Sequence, residues 1–244
     1  LAVTFDMYCY PAGCTHLLMG LPESLQAGPP ERILSRLRDP HIRSSMQAYL
    51  ESYFPLDRVV FAAAGTTEPS GWEGKSLGQV TRELGMSLAD AVSHILLETE
   101  LQALMIYHWP EERYPFLEKT YRHPLHMVST DGIYVGEKPH PRGFGTYPKV
   151  LGQYVRENGW LTLEQAVHKM TGAPATAFNI PLRGLVREGY FADLVVFDPA
   201  TVDGPATFAD PRRQPVGIET VLVNGKPAIE RGVAMPGLHG RVVS

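Results

Sequence analysis

The period of apolar and polar residues changes many times along the chain, and each change marks an element. LAVTFDM (residues 1–7) alternates with period two and reads as a strand, followed by a loop, YPAGCTHLLMGLP. Residues 30–54, PERILSRLRD and HIRSSMQAYLESYF, carry apolar side chains three and four apart, which predicts helices. DRVVFAAAG (57–65) and ALMIYHW (103–109) are apolar runs of strand length. Between them, SLGQVTRELG (76–85) and SLADAVSHILLETEL (87–101) are helical in period, the second with Ser87 placed as N-cap. EERYPFLEKTYR predicts mostly helix, HMVST (126–130) a strand, and GTYPKVLGQYVREN (145–158) a helix interrupted early by Pro148. In TLEQAVHKMTG (162–172), Thr162 and Gln165 stand at capping-box spacing and Gly172 reads as the stop. Strands alternating with helices in this way predict parallel βαβ units.

The last seventy residues change character. GYFADLVVFDP (189–199) holds a fully apolar strand core, and IETVLVNGKPAIERG (218–232) places Asn224-Gly225 between two runs. An Asn-Gly pair suits a type I′ hairpin turn, which needs positive φ at both central positions. A small β unit is therefore expected at this end. No internal repeat or low-complexity segment is present.

Composition narrows the class. The 244 residues are 44% hydrophobic and 20% charged with a net charge of −4, as in ordinary globular chains large enough for a sizeable core. Mild acidity and the lack of a dense Lys/Arg cluster argue against nucleic acid or a membrane surface as partner, and favour small molecules. No apolar stretch approaches the roughly 20 residues of a spanning helix. Cys9 and Cys14 are the only cysteines, close together on one segment, which fits a reduced, cytoplasmic setting better than a disulfide framework. The chain opens at Leu1 inside a strand-like run with neither turn nor cap, and is expected to be cut from a longer polypeptide.

The candidate chemistry centres on residues 128–148. An apolar run ends in Ser129, Thr130 and Asp131, a glycine follows, and a proline-rich loop then presents His140 and Arg142. A carboxylate at the tip of a strand can act as a general base, or it can simply cap the loop. Arg142 can grip a carboxylate bidentately, or lie on the surface paired with Glu137. His140, ahead of Pro141, is expected to be structural. His108 stands at the end of a predicted barrel strand and could approach substrate. His123, His126 and His168 are expected to be packed, while His16, His41, His94 and His239 give no signal.

Taken together, DMYCYPAG, WEGKSL, STDG, HPRGFGTYPKVLGQYVRE, LTLEQAVHKMTGAPATAF, GYFADLVVFDPATV and VLVNGK occur in an order that resembles the N-acyl-D-amino-acid deacylases (D-aminoacylases) of the metal-dependent amidohydrolase superfamily, over about residues 1–230. The resemblance implies an α/β fold, the later part of a (β/α)8 barrel over residues 1–180 and strands of a small β-sandwich over 181–244. It implies that Asp131, on the last barrel strand, touches the metal and carries a proton from the attacking water to the leaving amine. It implies that Arg142 binds the α-carboxylate of an N-acyl amino acid. Tyr8 matches a substrate-holding tyrosine, whereas Cys14 replaces the family's serine, and a thiol donates a hydrogen bond weakly. Thr15 is available to take over that donation. Cys14 as nucleophile has only His16 as a nearby base.

The family's zinc, one or two ions, is held through a His-x-His pair, a bridging cysteine, glutamate or modified lysine, and further histidines. All of these precede the segment that matches Leu1. Asp131 alone cannot hold a catalytic zinc, which takes three protein ligands and a water. A complete barrel needs about 250 residues before any sandwich is added. The expected partner is therefore an N-terminal half, as a separate chain or cleaved fragment, with further oligomerisation open. Two alternatives stay open: opening of a cyclic amide or imide, and a non-catalytic subunit that keeps the fold for assembly.

Overall fold

A computed structural model describes residues 3–64 and 71–243. Its strands are β1 (Phe5–Met7), β2 (Ala12–His16), β3 (Val59–Ala63), β4 (Leu104–His108), β5 (His126–Val128), β6 (Leu194–Phe197), β7 (Ile218–Val223), β8 (Lys226–Glu230) and β9 (Val233–Ala234). The helices are α1 (Glu23–Gln26), α2 (Pro30–Arg38), α3 (Pro40–Tyr53), α4 (Leu77–Leu84), α5 (Leu88–Glu98), α6 (Pro115–Arg122), α7 (Arg142–Lys149), α8 (Leu163–Met170) and α9 (Gly172–Ala177). The chain divides into two compact units: residues 1–10, 112–132 and 141–244 form one, and residues 11–111 with 133–140 form the other.

In the first unit β1 and β5 pair in parallel, with Phe5 opposite His126 and Met7 opposite Val128. Parallel pairing puts the C-terminal ends of both strands, and hence Tyr8 and Asp131, at one edge. The core beneath them is aromatic. Tyr10, Tyr121 and Tyr154 are buried with Cys9, Val128, Val150 and Leu161, and Tyr121 meets Tyr154 edge to face at 4.8 Å. Pro148 lies inside α7, where it withdraws one backbone N–H. The chain then continues as a π-helical segment, Val150–Glu157. Thr162 and Gln165 close a reciprocal capping box on α8. Gly172 does not stop the chain as expected: Thr171 is the cap, and Gly172 opens α9.

The same unit contains the terminal four-stranded antiparallel sheet, in the order β6-β7-β8-β9. Asn224 and Gly225 have φ of 51° and 78° and join β7 to β8, the left-handed pair that a type I′ turn requires.

The second unit corrects one expectation. Residues 57–65 and 103–109 are strands where the structure describes them, but β4 lies between β2 and β3 and is antiparallel to both. They are not parallel barrel strands. The segment expected as a loop after the first strand contains β2, which the mixed sequence AGCTH conceals because it lacks an apolar alternation. Helices α2 to α5 cover this sheet with an aliphatic core including Leu37, Leu50, Leu77, Ile95 and Leu96, packed on Phe61. Ser76 and Gln79 form a capping box on α4, and Ser87 caps α5 as its position predicts. The stretch TTEPS, expected as loop, lies outside the described residues.

Candidate active site

The backbone around Tyr8 is clamped from both sides. The Tyr121 hydroxyl donates to the Met7 carbonyl at 3.2 Å, and the Tyr154 hydroxyl donates to the Cys9 carbonyl at 2.7 Å. Both tyrosines are buried, so their hydroxyls carry polarity into the core to satisfy two carbonyls where β1 has ended. Burial pushes both phenols well above the ordinary tyrosine range, so they stay protonated donors. The next tyrosine, Tyr10, donates to the Ala206 carbonyl at 3.2 Å. Sequence reading missed these clamps, since an isolated tyrosine in a helical pattern gives no hint of a carbonyl at its tip.

Arg142 is the first residue of α7 and only 1% exposed. Its guanidinium lies over the Tyr8 ring, 4.3 Å from the centroid, and Nη2 is 2.7 Å from Oδ2 of Asp131. It is thus a buried arginine, not a surface one, and such a charge is tolerable only with carboxylate or aromatic partners. Asp131 itself is 66% exposed and has φ of 44°, a left-handed conformation uncommon for a residue other than glycine. The left-handed turn directs the chain away from β5 directly after Val128, Ser129 and Thr130. Among the predicted site residues, the first unit therefore brings together Asp131, Arg142 and Tyr8.

Cys14 and His108 belong to the second unit. Cys14 is on β2 opposite Ile106, and His108 ends β4 opposite Ala12. The placement of His108 at a parallel barrel strand's end is corrected accordingly: β4 is antiparallel to both of its neighbours. Burial lowers the His108 pKa, which favours a neutral imidazole. His140 is fully buried, with Nε2 3.1 Å from the Ala12 carbonyl. The loop leading to it is held on β3, where Lys138 N–H donates to the Ala62 carbonyl at 3.1 Å. Gly136 makes that approach possible: at its φ of 85°, a Cβ would lie 2.4 Å from the Ala63 Cβ and 2.5 Å from the Ala62 oxygen.

The other buried groups look structural. Cys9 is fully buried, and burial pushes its thiol up to about 12, which makes it a poor nucleophile. Lys169 donates to the carbonyls of His123 and His126, at the start of β5. A cleft of about 330 Å³ lies there, lined by Arg122, Trp160, Gln165, His168 and Lys169. It is at the opposite end of the strand from Asp131, where barrel enzymes do not place their chemistry.

Zinc chemistry would require more donors than these. Among the described residues no three His, Cys, Asp or Glu side chains cluster as metal ligands. Asp131 can supply one oxygen of the three or more protein ligands a catalytic zinc takes. The donor set fits a metal site only as a contributor.

A carboxylate at the C-terminal end of a parallel strand, with an arginine buried beside it, is the placement of site residues found in α/β barrels. The chain belongs to the amidohydrolase family, whose sequence profile matches residues 31–229. It is 44% identical over 173 residues to a D-aminoacylase of Alcaligenes xylosoxydans xylosoxydans, covering 70% of this chain and 34% of that protein. Solved structures agree. One of a D-aminoacylase, described as having a binuclear metal centre, matches with TM-score 0.74 and 35% identity over 98% of this chain and 42% of its own. Another, the N-acyl-D-glutamate deacylase of Bordetella bronchiseptica complexed with zinc and a phosphonate inhibitor, matches with TM-score 0.69 and 32% identity, covering 92% of this chain and 39% of its own. The fold is the later part of the amidohydrolase barrel with strands of its small β domain. The chain spans about a third of the length of the curated relative.

Proposed function

We propose that this chain forms the C-terminal part of a zinc-dependent amidohydrolase that cleaves the amide bond of N-acyl-D-amino acids. The observation that carries the proposal is the joint placement of Asp131, Arg142 and Tyr8 at the C-terminal ends of two parallel strands. The names and zinc content of its relatives support the substrate class and the metal.

When bound, the metal supplies Lewis-acid polarisation and lowers the pKa of water to near neutrality. Asp131 then accepts the proton as the water oxygen bonds to the amide carbon, and returns it to the nitrogen as the C–N bond breaks. A protonated amine leaves readily, whereas an amide anion does not. Arg142, fixed over Tyr8, grips the α-carboxylate and sets the amide against Asp131. Cys14 would be the weaker donor at the family's serine position, with Thr15 beside it. The remaining ligands for one or two zinc ions, and the barrel strands that β1 and β5 lack, come from polypeptide outside these residues. The barrel part lies within residues 1–180, interrupted in sequence by the antiparallel unit of residues 11–111 and 133–140, residues 181–244 form the β domain, and the paucity of cysteine fits a cytoplasmic enzyme. A hydrolase of neutral cyclic amides would share the metal and the aspartate but leave Arg142 without a carboxylate to bind.

The test uses the assembled protein. Asp131→Asn is expected to lower kcat on an N-acetyl-D-amino acid by about 10² to 10⁴-fold, the usual worth of general acid–base catalysis. Release of amino acid at an unchanged rate would remove the shuttle. Equal losses for Arg142→Ala on acidic and neutral amides would remove the anchor.

A further inference from the structure

The ion pair joins two groups to which the proposed reaction gives different tasks. Arg142 is to hold the substrate's carboxylate, yet its Nη2 already holds that of Asp131 at 2.7 Å. Asp131 is to move a proton, yet one of its oxygens is engaged by a cation. The Tyr8 ring covers a face of the guanidinium, so a carboxylate must reach the N–H groups from the edge, in the plane where Asp131 sits.

We infer that Arg142 holds Asp131 in the resting protein and exchanges it for the substrate carboxylate, so that arrival of the correct anion releases the proton shuttle. The inference rests on the deacylase reading and adds to it an order of events and a source of specificity. Relative strengths favour the exchange. Asp131 meets the guanidinium through one contact, Nη2 to Oδ2 at 2.7 Å, so it does not use the two-armed grip that an arginine can offer a carboxylate. A substrate carboxylate that brings its own apolar body over the site excludes water, and can use both arms of the guanidinium. Its grip is therefore the stronger. Asp131 sits in a left-handed turn just past the end of β5, outside the strand's backbone pairing. A ligand without a carboxylate leaves the pair closed and the shuttle occupied. Selection for N-acyl amino acids over neutral amides then acts on the chemical step as well as on binding.

Binding to the assembled, chelator-treated protein separates the possibilities without recourse to turnover. N-acetyl-D-leucine and N-acetyl-D-leucinamide are titrated calorimetrically into wild type, Asp131→Asn, Asp131→Ala, Arg142→Lys and Arg142→Ala, with circular dichroism to confirm folding. Exchange predicts that both Asp131 variants bind the acid at least about 2-fold more tightly than wild type, since the competing pair is gone, and bind the amide unchanged. Unchanged or weaker acid binding in both, with loss of acid binding in the Arg142 variants, overturns the exchange and leaves the anchor standing. Acid binding unaffected by both Arg142 variants overturns the deacylase anchor itself, and the exchange with it. A functional arm completes the test: millimolar acetate should accelerate hydrolysis of the neutral amide by the metal-loaded wild type and not by Arg142→Ala. No acceleration in wild type counts against exchange.

Discussion

The two units have cores of different chemistry. Helices α2 to α5 bury an aliphatic core against an antiparallel sheet, and that core is supported by Leu, Ile and Val side chains that specify no polar contact. The core under β1 and β5 is built around Tyr10, Tyr121 and Tyr154, each with its hydroxyl on a backbone carbonyl. An aliphatic core gains stability from burial and tolerates changes that keep volume. A core of tyrosines also fixes where particular carbonyls lie, and here two of those carbonyls flank Tyr8. One core supports the fold, and the other aligns the ring on which Arg142 rests.

That contrast can be broken by substitution. Phe61→Ala, in the centre of the aliphatic core, should cost about 3 to 5 kcal/mol on denaturant unfolding, from lost transfer energy and the cavity left behind. Activity per folded molecule should barely change. Tyr154→Phe should cost less, about 1 to 3 kcal/mol, because it strands the buried Cys9 carbonyl. Its KM for an N-acyl amino acid should nevertheless rise more than that of Phe61→Ala, through displacement of Tyr8. Equal effects on KM would erase the distinction between the two cores.

The smallest expected effect is a pH dependence confined to the tyrosine-lined core. His126 is buried against Tyr121 and Phe5, and its Nδ1 has no hydrogen-bond partner. Burial above all, with help from the Lys169 ammonium, lowers its pKa from 6.5 to about 4. Between those values the unfolded chain binds a proton that the folded one refuses, so stability falls as the pH drops from 6.5 towards 4. The slope is at most about 1.4 kcal/mol per pH unit. Urea midpoints at pH 7 and pH 5 should differ in wild type and converge in His126→Gln. An unaltered difference in the variant would assign the effect to other groups.

Elements with strong local signals were legible in the sequence. The helices over residues 30–54 appear because their apolar spacing is unambiguous, and the Ser87 and Thr162 caps sit where side-chain oxygens can reach unpaired N–H groups. The Asn224-Gly225 turn is equally local. Of the candidate site, Asp131 and Arg142 were legible as residues at a strand tip and on the loop that follows. Their direct pairing was not, since ten positions and a glycine-dependent loop intervene, and sequence spacing does not measure that distance.

Strand direction was the main casualty. Residues 57–65 and 103–109 are apolar runs between helices, a pattern that parallel units and this antiparallel sheet share. An apolar run establishes that a strand is buried; its partner and polarity follow from backbone hydrogen bonds to chain far away.

By itself the sequence determined the local elements and the family, and singled out the two charged residues of the proposed site, because periodicity, capping and motif order are properties of short stretches. Only the tertiary structure decided that Arg142 is buried against Tyr8 and engaged by Asp131, that Cys14 and His108 lie on an antiparallel sheet, and that tyrosine hydroxyls fix the strand end. Those facts depend on which carbonyls and charges meet when distant segments pack, and burial makes each such meeting obligatory without encoding it at either residue alone.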